Sequence, residues 1–162
     1  MENLPVIKLI SCFLVHSCFL IIMVGLYLVS GYRPQITWLQ VLYYSFAASM
    51  LGLGITYFTS AVQIFFKDMA QIIGICLQFG MWLTPIMYDE TIFTSRAAWL
   101  GFVFKLNPFY YIAAGYRDSM LTGNWFFERP MMTLYFWCFT LILFVLGLKV
   151  FKKMRPHFSD VL

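Results

Sequence analysis

Ile64-Phe65-Phe66-Lys67-Asp68-Met69-Ala70-Gln71 carries the only two formal charges between Pro34 and Tyr88. On either side lies an apolar tract, 34–66 and 69–88, each at least as long as the roughly 20 residues that a helix needs to cross about 30 Å of hydrocarbon. A charge pair at that point reads as a tight turn at a membrane surface, and it divides two spanning helices.

The rest of the composition agrees. With 62% hydrophobic residues, 11% charged residues and a mean hydropathy of +0.80, a soluble domain of this length would leave too much apolar surface in water. Lipid cannot pair backbone N–H and C=O groups, so spans are helices or closed barrels, and unbroken apolar runs exclude the alternation of a barrel. The expected fold is an all-α membrane protein with four transmembrane helices at about 9–30, 38–66, 69–88 and 131–151. The net charge of +4 gathers at one end, where Lys149, Lys152, Lys153 and Arg155 close the last run. This is a cytoplasmic anchor, not a nucleic-acid patch.

Within the first run His16 is an ionisable group at mid-span. It reads as a functional position, or as a neutral imidazole bonded across a helix interface. In the second run Ser45, Ala48, Ser49, Gly52 and Gly54 recur three and four apart, a face that lets helix backbones approach. In the third, Gln71, Gly74, Gln78 and Trp82 share one face. That stripe suits a wet path for a polar solute, and it equally suits interhelical hydrogen bonds. Thr84-Pro85 kinks or ends the helix. Cys12, Cys18, Cys76 and Cys138 lie inside apolar runs without CxxC spacing and read as reduced packing residues, with no metal site.

Between the third and fourth runs, 97–104 and 109–115 are too short to span. Asn107 followed by Pro108 is an N-cap and first-turn signal for a second short helix. A re-entrant or interfacial helical hairpin over about 97–118 is the expectation, with a loop of amphipathic segments as the alternative. Alternating the spans from an inner C-terminus puts the N-terminus and the Lys67-Asp68 turn inside and the hairpin outside. No phosphate-cradling GxxxxGK[ST], HExxH, GxSxG or intramembrane carboxylate pair occurs, so no catalytic residue and no cofactor is assigned. An enzyme acting alone and a proton-driven carrier are disfavoured. A permease energised by a separate ATPase, or a scaffolding membrane protein, is left.

Five pieces in order carry a resemblance: Phe65-Phe66-Lys67-Asp68, Trp82-Leu83-Thr84-Pro85-Ile86-Met87-Tyr88, Leu106-Asn107-Pro108-Phe109-Tyr110-Tyr111, Gly115-Tyr116-Arg117-Asp118 and Pro156-His157-Phe158-Ser159-Asp160-Val161-Leu162. Together they resemble the ABC-2 type permeases that export polysaccharide such as O-antigen, capsule or teichoic acid. Lys67 stands where that family more often has arginine. The resemblance implies a multi-pass subunit of the bacterial cytoplasmic membrane that pairs with a second permease copy and two cytoplasmic ABC ATPase subunits. It would pass a lipid-linked glycan outward, in contact with membrane lipids and no nucleic acid. It also implies that the hairpin between Trp99 and Tyr116, with Asn107, Pro108 and Arg117, is an outer gate, and that the chain corresponds to the family's C-terminal portion, lacking its first two spans. Sugar C–H faces stack on aromatic planes, so Gln71, Gln78, Trp82, Tyr88, Tyr110, Tyr111 and Tyr116 are the expected substrate path, and Lys67 and Asp68 the inner-surface turn. Export of a drug or lipid, or a nonfunctional scaffolding fragment, are the alternatives.

Overall fold

The computed structural model describes residues 4–63, 68–84 and 98–154. The expected residues Lys67 and Tyr88, and the motif pieces around 64–67, 85–88 and 156–162, lie outside them.

Helix α1 (Leu4–Val29) is an uninterrupted apolar rod. It ends because Gly31 adopts φ +84°, which lets Tyr32 N–H bond to Tyr27 O at 3.1 Å and Gly31 N–H to Leu28 O at 3.1 Å. This glycine-centred closure satisfies the last carbonyls of the helix. After a 3₁₀ turn (Ile36–Leu39) the chain enters α2 (Gln40–Gln63). Helix α3 (Met69–Leu83) follows Asp68, and then come α4 (Ala98–Leu106) and α5 (Pro108–Arg117). A π-helical turn (Asp118–Thr122) and a 3₁₀ turn (Phe126–Glu128) lead into α6 (Pro130–Met154). No strand occurs among the described residues.

Among the described residues three helical segments are long and apolar enough to cross a membrane: Ile7–Val29, Ile36–Ser60 and Pro130–Lys153. The expected third span, 69–88, is described only as far as Thr84. Helix α3 has 15 residues, about 22 Å at 1.5 Å per residue. It stops where Thr84 turns extended, at φ −85° and ψ 122°, because a residue preceding proline is pushed out of the helical region.

Helix α2 is the hub, packing on α1, α3, α5 and most extensively on α6. The pairing with α6 is parallel, since Tyr43 meets Trp137 and Tyr57 meets Phe151. Backbones nearly touch there: a Cβ on Gly147 would lie 3.0 Å from Phe58 N and 3.1 Å from Gly54 O. Such contact is how helices gain packing energy in lipid, where no hydrophobic force draws them together. Helix α1 runs antiparallel to α2, with Leu9 opposite Gly52, His16 opposite Ser45 and Tyr27 against Trp38. The small face expected on α2 is therefore used on two sides. The core consists of Tyr44, Ala47, Leu51, Tyr111, Ile112 and Phe136. The four cysteines are free, but all are exposed and none fills the packing role expected of it.

Candidate functional site

The short helices α4 and α5 meet at Asn107, and this residue does two jobs. Its Oδ1 accepts from Phe109 N–H at 3.0 Å, capping α5 just before Pro108. Its Nδ2 donates to Thr84 Oγ1 at 2.9 Å and Gly80 O at 3.2 Å, tying the hairpin to the end of α3. The sequence signal for the start of α5 is thus realised, with a tertiary contact that the signal did not contain.

One turn further, Tyr110 and Tyr111 are buried. The Tyr111 ring stacks on Phe136 at 4.7 Å and meets Tyr44 edge-on at 5.5 Å. Its hydroxyl shares hydrogen bonds with Tyr43 OH at 3.2 Å and Thr133 Oγ1 at 3.0 Å, and Trp137 Nε1–H donates to Tyr43 OH at 2.7 Å. Aromatic bodies bury large apolar area while their polar tips find partners. The chain of hydroxyls therefore joins α5, α2 and α6.

The next turn brings Gly115 flat against Tyr44, so close that any Cβ would fall inside the ring. Glycine is required there by contact and not by backbone angle. Tyr116 follows, its hydroxyl 2.8 Å from Ser45 Oγ and 2.9 Å from His16 Nε2. His16 is thus bonded across the junction of α1, α2 and α5. The turn after α5 is clamped as well. Thr37 Oγ1–H donates to Ser119 O at 3.1 Å, while the Gln40 amide donates to Asn124 O at 3.0 Å and accepts from Phe126 N–H at 2.9 Å. Asp118 pairs with Arg129 at 3.1 Å.

Two concavities flank the hairpin. One, of about 410 Å³, is walled by Lys105, Tyr110, Glu128 and Arg129 together with Pro130, Met131 and Met132, a mixed polar and apolar lining. The other, of about 670 Å³, lies between α1, α2 and α5; it is mainly apolar, with His16, Tyr116 and Arg117 as polar lining.

The structure gathers Tyr110, Tyr111, Tyr116, Asn107, Pro108 and Arg117 in one hairpin helix and its cap. It does not bring Gln71, Gln78 or Trp82 to them. Both glutamines are exposed on α3, and Trp82 is 70% exposed. Asp68 sits at the start of α3, where its carbonyl accepts from Gln71 N–H and Ile72 N–H. Sequence reasoning missed Gln40, Tyr43, Tyr44, Thr133 and Trp137. The available signal was the presence of uncharged polar groups inside apolar runs, because such groups must find partners within the protein.

The chain is similar to two O-antigen export system permease proteins RfbA from Klebsiella pneumoniae, each 23% identical over 146 residues, covering 90% of this chain and 54% of the relative. It spans about half the length of the curated relatives it matches. No protein-family model matches it, and no solved structure does. This similarity to permeases accompanies three helices, among the described residues, that are long and apolar enough to cross a bilayer.

Proposed function

We propose that the chain is the transmembrane portion of an ATP-driven exporter of lipid-linked polysaccharide in the bacterial cytoplasmic membrane. ATP hydrolysis would belong to two copies of a separate cytoplasmic subunit, and a second permease copy would complete the path. The similarity to O-antigen export permeases along 90% of the chain carries this reading.

In it α3 is a fourth crossing, and its brevity has a purpose. The parallel direction of α2 and α6 requires the chain to return between them, and the Asn107 bonds join the end of α3 to a hairpin that dips to meet it. The α4–α5 hairpin is the outer gate, Lys67 and Asp68 mark the inner-surface turn, and Gln71, Gln78 and Trp82 stand toward the path. Lys105, Glu128 and Arg129 line a concavity of mixed polarity with Tyr110 in its wall, charged groups suited to sugar hydroxyls. Tyr111 and Tyr116 act behind it by holding the gate in position. The apolar groove beside His16 favours a second reading, export of a lipid or drug by the same architecture.

The test is expression with the ATPase subunit of an O-antigen export system in a strain lacking this gene. Co-purification of the ATPase and restored surface glycan support the proposal. Restored transport of a hydrophobic drug without glycan would favour the second reading, and failure to bring down any ATPase would contradict both.

A further inference from the structure

The concavity of about 670 Å³ between α1, α2 and α5 is an apolar groove with one polar end. Contacts around that end fix its depth. Ser119, two residues beyond Arg117, accepts from Thr37 in the turn that opens α2, and Tyr27 meets Trp38 edge-on at 6.2 Å near the end of α1. Arg117 and Tyr27 therefore line the groove where α1 ends and α2 begins, the level at which aromatic rings and long cationic side chains reach a membrane surface. From there the groove extends inward to Ala48 and Gly52, and Gly52 stands about 18 Å along α2 from Gln40. Half of a hydrocarbon core is about 15 Å, so the groove has the depth of one leaflet. Arg117 is the single formally charged residue in the described lining, and no carboxylate accompanies it. The other polar groups are already engaged: His16 Nε2 and the Tyr116 hydroxyl bind each other at 2.9 Å, and the hydroxyl also meets Ser45 at 2.8 Å. A polar occupant would find few partners beside them, whereas an alkyl chain needs none.

We propose that this groove seats one glycerophospholipid from the leaflet in which α1 ends, with its phosphate against Arg117 and an acyl chain along Phe19, Met23 and Leu121. A cation at headgroup depth above an apolar slot one leaflet long matches that molecule in charge, length and polarity. An anionic headgroup binds better than a choline headgroup, because the latter brings a second cation close to the guanidinium. Helix α1 meets α5 through the bond between His16 and Tyr116, and the seated chain adds apolar contact to both helices. The lipid is a resident of the groove and not a transported solute, so the proposal stands whichever molecule the permease exports.

The experiment incubates the full chain, in a mild detergent, with dioleoylphosphatidylglycerol, dioleoylphosphatidylcholine or dioleoylglycerol and counts retained lipid by native mass spectrometry. One phosphatidylglycerol per chain is expected, held more tightly than the choline lipid, with dioleoylglycerol the weakest. Arg117→Gln should weaken phosphatidylglycerol about fivefold, the effect of one cation near an anionic headgroup, and Arg117→Lys should restore most of the loss. Ala113→Phe narrows the groove and should abolish retention, while Ile142→Phe on the exposed face of α6 should leave it unchanged. In the wild-type chain, where no variant can misfold, a diazirine-bearing phosphatidylglycerol should label Met23 and Leu121 in preference to Leu141 and Ile142. Retention that ignores the headgroup, or that survives Ala113→Phe in a folded variant, overturns the proposal, and so does labelling spread evenly over α1, α5 and α6. Neither retained lipid nor labelling in the groove would mean that protein covers it, which overturns the proposal as well.

Discussion

Helices α3 and α5 invite comparison because both are short and both adjoin the matched motifs, yet their surroundings are opposite. Helix α5 is embedded: Tyr110, Tyr111, Ile112 and Gly115 are buried, and its tyrosine hydroxyls are bonded into α1, α2 and α6. Helix α3 exposes Gln71, Gln78 and Trp82. Aromatic residues that look alike in the sequence therefore do different work. Those on α5 hold the bundle together, while Trp82 on α3 leaves 70% of its surface exposed.

The comparison breaks most readily at Tyr111. Tyr111→Ala removes a ring stacked on Phe136 and leaves the Tyr43 and Thr133 hydroxyls short of a partner. A loss of about 3–5 kcal/mol is expected, read as unfolding at lower denaturant in mixed micelles, and export should fall because the protein is unstable. Gly115→Ala forces a methyl group into Tyr44 and should cost about 1–3 kcal/mol by overpacking, without removing any hydrogen-bonding group. His16→Leu deletes the imidazole bonded to Tyr116 and should cost about 1 kcal/mol, in the range of interhelical hydrogen bonds in membranes. Trp82→Ala should shift stability by no more than about 0.5 kcal/mol and still slow glycan export. If Trp82→Ala instead unfolded the protein while Tyr111→Ala did not, the division between the two helices would be wrong.

How much of this was legible follows from the range of the signals. The apolar runs of α1, α2 and α6 announce themselves by length. The Asn107-Pro108 start of α5 and the stop of α3 before Pro85 are local rules acting within a few residues. The pairing of His16 with Tyr116 joins positions 100 apart, and Gln40 reaches Phe126 across 86. No periodicity within one element encodes which distant partner a polar side chain will meet. For the same reason the burial of Tyr111 and the exposure of Trp82 could not be separated beforehand, because both stand in uncharged, aromatic-rich helices.

Whether the hairpin is docked as described is tested most directly by cross-linking a His16→Cys, Tyr116→Cys chain, free of its native cysteines, with a short bifunctional thiol reagent in membranes. The stacked Tyr111 and the Gly115 contact should hold α5 in place without the lost hydrogen bonds. The account predicts efficient cross-linking within one chain between positions 16 and 116, and none in a Trp82→Cys, Tyr116→Cys control. Absence of the 16–116 product would contradict it, because α5 would then not lie against α1 and α2.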